Sequence, residues 1–232
     1  MHVDRRDREE DARFRRVLAG VQRPSRYIGG EWNSVVKDLR SVEVTFGLAF
    51  PDVYEIGMSH LGFRILYALL NAREDTAAER VFCPWTDYAA ALRERREPLR
   101  TLETGTPLRS LDVVGFSLQY EMSFTSVLEM LDLAGNPLRS ASRGEGDPLV
   151  VAGGPVVFNV EPLADFLDLV FVGDGEALLP EFLDRLKALK REGAPRSARI
   201  RELAAIPGLY APPLYPTEWE PERGLRGPAA GG

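Results

Sequence analysis

Residues 42–57 read VEVTFGLAFPDVYEIG. Val42 to Phe50 is apolar and rich in β-branched and aromatic residues, with little polar alternation, so it predicts a strand buried on both faces. Pro51-Asp52 ends it. From Gly57 to Leu70 the apolar period changes to helical. Met58, Leu61, Ile65 and Leu69 fall at three- and four-residue spacing and predict one buried helix face. A doubly buried strand that runs directly into a helix is the unit from which parallel sheets are built.

The unit recurs along the chain. A short strand is expected near Arg80 to Cys83, ended by Pro84-Trp85, with a helix over Asp87 to Arg95. Asp112 to Leu118 (DVVGFSL) is another buried strand. Its following helix has an apolar face of Phe124, Val127, Leu128 and Leu131 and stops at Gly135-Asn136-Pro137. Arg143 to Pro148 reads as an exposed turn. Leu149 to Ala152 is a strand closed by Gly153-Gly154-Pro155, and Leu167 to Val172 is the next, ending in Gly173-Asp174-Gly175-Glu176. A long helix follows, with Leu178, Leu179, Phe182, Leu183, Leu186 and Leu189 on its buried side. Residues 41–193 therefore predict an α/β domain with a flavodoxin-like, doubly wound parallel sheet of about five strands. Residues 1–40 read as a charged extension, a solvated helix or tail, with PSRYIGGEWN as an ordered lead-in. Residues 194–232 read as a short helix and a Pro/Gly-rich linker or tail ending in GPAAGG.

Composition narrows the function classes. The chain has 232 residues, 44% of them apolar and 28% charged, as in soluble globular proteins. A net charge of −6 gives no bulk attraction for nucleic acid. The single cysteine, Cys83, excludes an internal disulfide and any site needing several thiolates from this chain. Met1 to Arg16 is almost all charge and unlike a signal peptide, and no run reaches bilayer length, so the expected location is the cytoplasm, with no membrane partner. Walker A, G-x-G-x-x-G and G-x-S-x-G sequences are absent. His2 and His60 are the only histidines, and neither has a neighbour with which to bind a metal.

In doubly wound sheets ligands bind beyond the carboxyl ends of the strands, where strand order reverses. The first such loop offers Asp52, Tyr54 and Gly57; Asp52 can equally cap backbone amides and Tyr54 can equally pack. The loop after DVVGFSL offers Ser117, Gln119, Tyr120, Glu121 and Ser123, as ligand contacts or as helix caps. Gly153-Gly154 permits close approach of a ligand, or makes only a tight turn. Asp174 and Glu176 suit the dipole of the helix they begin.

Together these loops resemble those of cobalamin-binding domains, which carry D-x-H-x-x-G after the first strand, S-x-L at the third and G-G at the fourth. Asp52 to Gly57 matches the first motif with Tyr54 in place of histidine, Ser117 matches the serine of the second, and Gly153-Gly154 matches the third. More widely, RYIGGEWN, FPDVYEIGMSHLG, ERVFCPW, DVVGFSLQYEMSFTSVLEMLDLAG and the GG-to-GDGE stretch resemble the N-terminal region of a radical S-adenosylmethionine (radical SAM) family with B12-binding-like domains.

The resemblance implies a corrinoid bound by Asp52, Tyr54, Gly57, Ser117, Gly153 and Gly154, with no catalytic or metal-ligating residue on this chain. Cobalamin would sit without a histidine on cobalt, since a neutral phenol is a poor cobalt ligand. The partner would be a radical SAM barrel, in cis or in trans, whose C-x-x-x-C-x-x-C thiolates hold a 4Fe–4S cluster that cleaves S-adenosylmethionine. With one cysteine, the sequence read here is expected to be a truncated product, a fragment or one half of a split protein. The domain would bind a corrinoid or shape the substrate side of that barrel. The other reading is a non-catalytic scaffold or interaction domain without cofactor.

Overall fold

The computed structural model describes residues 5–215, 217–220 and 224–228. Its first strand, β1 (Val44–Phe50), is divided by parity: Val44, Phe46, Leu48 and Phe50 point to one face and Ala49 to the other. The same split runs through β2 (Thr76–Phe82), β3 (Val113–Ser117), β4 (Leu149–Gly153) and β5 (Leu169–Phe171). Both faces must therefore be covered. The helices α1 (Arg5–Leu18), α4 (Thr86–Arg95) and α5 (Phe124–Leu133) cover the Ala49 face with Val17, Leu92 and Leu131. On the face of Val44, Phe46, Leu48 and Phe50 lie α3 (Leu61–Asn71), α6 (Gly175–Arg191) and α7 (Arg196–Ala204), contributing Phe63, Phe182 and Leu203. Each such side chain contributes about 1.5–3 kcal/mol when fully buried.

Strand order is β2-β1-β3-β4-β5-β6, and the first five are parallel. This is the flavodoxin-like sheet the sequence predicts, with the reversal of order between β1 and β3. The sixth strand, β6 (Leu209–Tyr210), pairs antiparallel with β5 at the edge. A two-stranded antiparallel ribbon, β7 (Thr217–Glu220) and β8 (Gly224–Pro228), follows. Among the described residues no helix is long and apolar enough to cross a membrane.

Arg143 and Pro148, expected in an exposed turn, are buried, and three further local expectations change. The helix expected from Gly57 is two helices, α2 (Tyr54–Ser59) and α3, broken at His60, whose extended backbone and side chain cap α3. The break resets the helical phase. Phe63, Tyr67 and Leu70 face the sheet, while Leu61 and Ile65, expected to be buried, are 67% and 40% exposed. Strand β2 begins at Thr76, four residues before the expected start, and all seven of its residues are buried. Residues 194–215 contribute more than a linker: α7 buries Ile200 and Leu203, and Ile206, Leu209 and Ala211 join the same core. The terminal AAGG of the expected tail lies outside the described residues.

A buried ionic cluster fastens this last segment. Asp168 and Arg143 have fully buried side chains, and Arg196 at the start of α7 is 7% exposed. The Asp168 carboxylate accepts from Arg143 (3.1 Å), Arg196 (2.5 Å), Ser140 (2.5 Å) and the Val150 amide (2.7 Å). Arg143 also donates to the carbonyls of Pro137, Leu138 and Phe166. With so many partners the desolvated charges hold one arrangement of strands and helix.

Candidate functional site

Glycines in the sheet make room for a cavity. Gly115 of β3 faces α3 and α6, and a Cβ there would lie 2.5 Å from the Phe46 ring, so Phe46 can lean across the strand. Gly153 ends β4 without a side chain and Gly175 opens α6 beside Leu66. Between sheet and helices this leaves a cavity of about 460 Å3 that extends to the loops after β3, β4 and β5. That volume is within the range of small-molecule sites. Its walls are Phe46, Leu48, Val151 and Phe171 from the strands and Leu66 and Leu179 from the helices. Polar groups join them from the loops: Ser117, Gln119, His60, Asp174 and Glu176.

The six candidate residues separate into two groups. Ser117, Gly153 and Gly154 line the cavity; Asp52, Tyr54 and Gly57 do not. Ser117 is 7% exposed, and its Oγ accepts from Gln119 Nε2 at 2.9 Å, which leaves its own O–H to donate elsewhere. Gly154 has φ +119°, and a Cβ there would stand 2.2 Å from the Leu118 carbonyl oxygen, so this position needs glycine for the chain's own sake. Gly57 packs α2 on Phe82: a Cβ would come within 2.2 Å of that ring. Asp52 accepts from the Val53 amide and from the Tyr120 phenol.

Tyr54 turns towards the N-terminal lead-in. Its phenol donates to Glu31 Oε1 at 2.9 Å and its ring meets Phe82 edge-on. Burial, and then the Glu31 carboxylate, push its pKa up to about 12, so the anionic form that binds metals is disfavoured. The Cys83 thiol is likewise pushed up to about 11 by burial. Among the described residues no three His, Cys, Asp or Glu side chains gather to hold a metal.

His60 lines the cavity although its sequence position showed no ligand signal. Its Nδ1 accepts the Phe63 amide of α3 at 3.2 Å. The neutral ring then carries its proton on Nε2, as a donor. The sequence placed it inside a single helix expected from Gly57, and only the structure shows it at a joint between two helices. Asp174 and Glu176 also line the cavity. Asp174 occupies the N-cap of α6, yet its side chain makes no capping bond.

A family model for the N-terminal region of radical SAM proteins matches residues 62–212. The chain belongs to this family. The matched span of the radical SAM N-terminal domain runs from α3 through β6, and so includes the α7–β6 segment and most of the cavity wall. The strand β1 and the Asp52–Gly57 loop precede it. No curated protein matches the chain.

Proposed function

We propose that this radical SAM N-terminal domain holds a corrinoid, with the nucleotide tail in the sheet–helix cavity and the ring over the carboxyl edge, facing the catalytic domain. The observation that carries the reading is the cavity itself. It reaches into the layer between sheet and helices beside the point where strand order reverses, with Ser117, Gly153 and Gly154 among its lining residues. In this reading the apolar walls take the heteroaromatic base, the bare Gly153-Gly154 backbone lets the tail pass, and the Ser117 hydroxyl donates to it.

The donor set fits a corrinoid without a protein ligand on cobalt. Tyr54 is held by Glu31, and the Nδ1 of His60 is engaged by α3. Such a cofactor would supply methyl-transfer or related radical chemistry in the assembled enzyme. This chain would supply binding and orientation. Side chains from the loops at the same edge are exposed and apolar, with Met122 at 86% and Phe158 at 84%, which supports a partner domain docking there.

The test is to incubate the 232-residue chain with hydroxocobalamin, desalt it and record the visible spectrum. Stoichiometric colour with a spectrum lacking an imidazole ligand is expected. Tyr54→Phe should leave it unchanged, and Leu66→Trp, which fills the cavity, should weaken binding by about tenfold or more. Colourless protein after desalting from saturating hydroxocobalamin would end the corrinoid reading and leave the scaffold reading in place.

A further inference from the structure

We propose that the floor of the cavity selects the base of the corrinoid tail: it takes a fused ring whose far side is hydrocarbon, as in 5,6-dimethylbenzimidazole, and refuses a purine. This rests on the corrinoid reading and names what that reading leaves open, the chemical class of the base.

The cavity has two zones. Its hydrogen-bonding side chains, Ser117, Gln119, His60, Asp174 and Glu176, stand at a strand end, on loops or at helix starts. The floor is different. Leu48, Gly115 and Val151 are paired neighbours in one row across β1, β3 and β4. That row lies two residues, roughly 7 Å, below the paired Ser117 and Gly153. Phe46 reaches it from further down β1, with its ring against Gly115. Leu66 and Leu179 close it from the helices.

Among these residues no group is left to hydrogen-bond a ligand. Every floor side chain is hydrocarbon or, at Gly115, absent. The strand backbones are committed to the parallel ladders on either side. Leu66 and Leu179 sit inside α3 and α6, where amides and carbonyls bond within the helix.

The glycosidic bond decides which end of a base meets this floor. Ribose joins the five-membered ring, and the polar groups at the mouth match its hydroxyls. The six-membered ring therefore goes in first. In 5,6-dimethylbenzimidazole that ring and its methyls are all hydrocarbon. In adenine it carries two ring nitrogens and an amino group, and none of them finds a partner on the floor. Polar atoms buried without partners forfeit their hydration.

The test titrates the 232-residue chain with hydroxocobalamin, with its analogue carrying adenine as the base, and with hydroxocobinamide, which lacks the tail. Bound corrinoid is read by absorbance after ultrafiltration. Free 5,6-dimethylbenzimidazole and adenine are titrated in parallel by ligand-observed NMR. In each series the dimethylbenzimidazole form should bind more tightly than the adenine form by about tenfold or more. Val151→Thr, which puts a hydroxyl on the floor, should shrink that ratio by about threefold or more. Leu66→Gln, at a half-buried position, serves if Val151→Thr loses its melting transition. A wild-type ratio within about twofold of unity would overturn the proposal. So would a ratio indifferent to the floor variant, cobinamide binding as tightly as hydroxocobalamin, or no binding of any of the five compounds. Corrinoid binding without a base preference would reject base selection and leave the corrinoid reading standing. Selection between the free bases without corrinoid binding would uphold the floor's selectivity and reject the corrinoid.

Discussion

Asp52 and Tyr120, 68 residues apart, are joined by a hydrogen bond from the phenol to the carboxylate across the reversal point of the sheet. The bond ties the loop after β1 to the loop after β3, the two loops that frame a ligand site in this fold. That carboxylate, with burial second, pushes the Tyr120 phenol up from 10.0 to about 12. A raised phenol pKa means that the neutral, donating form is favoured by folding. Its contribution is complete below pH 10 and is lost as pH rises towards 12. Tyr120→Phe should lower stability by about 0.5 kcal/mol at neutral pH, the low end for a hydrogen bond because Tyr120 is 39% exposed. The difference between wild type and variant should vanish in denaturant melts above pH 12. A variant as stable as wild type at pH 7, with an ordinary tyrosinate titration in the wild type, would refute the link.

The ionic cluster should behave differently from a surface pair. Asp168→Ala leaves two buried guanidiniums without their carboxylate. Breaking such a cluster costs about 3–5 kcal/mol. Chemical denaturation measures this, and a loss below about 1 kcal/mol would mean that Arg143 and Arg196 reach water when the aspartate is gone.

The glycine pair at the end of β4 should respond unequally. Gly154→Ala meets a carbonyl oxygen at positive φ, whereas at Gly153 the new Cβ would lie 3.3 Å from Phe171 Cβ. We expect Gly154→Ala to cost about 1–3 kcal/mol and Gly153→Ala less than about 1 kcal/mol. Gly153→Ala is therefore the substitution with which to probe ligand binding. Equal melting temperatures for the two variants would contradict the geometry.

Phe182 of α6 is fully buried and meets Phe171 edge-on at 5.2 Å. Phe182→Ala should cost about 3–5 kcal/mol. Truncation after Gly193 should be at least as damaging, because it removes Arg196 from the ionic cluster, four core side chains from Ile200 to Leu209, and strand β6. Circular dichroism melts of the two proteins check this. A truncated chain that melts like the full one would show that the segment is dispensable.

Period and punctuation carried much of the architecture. β1, β3, β4 and α6 lie close to where β-branched runs, Gly-Pro stops and leucine spacing put them, because burial on both faces is written in consecutive apolar residues. The segment from Gly57 to Leu70 was ambiguous because nearly every position in it is apolar, so more than one helical face fitted. The sheet selected Phe63, Tyr67 and Leu70 once His60 had broken the helix. Residues 194–215 read as a short helix, which α7 is, and then a linker, since prolines and glycines dominate the end and β6 is only two residues long. An edge strand that short gives no period to read.

The candidate site divides along the same line. Ser117, Gly153 and Gly154 were legible because serine and paired glycines at strand ends are local signals. Asp174 and Glu176 were not, since the helix dipole explains both locally, and His60 was hidden inside what read as one helix. Only the packing of α3 and α6 against the Phe46–Gly115 surface brings these six around one space. The sequence by itself determined the alternation of strand and helix and the class of sheet, which follow from periods within 20 residues. The cavity and the separation of Tyr54 from it were decided by tertiary structure, because they depend on which side chains meet across elements far apart in the chain.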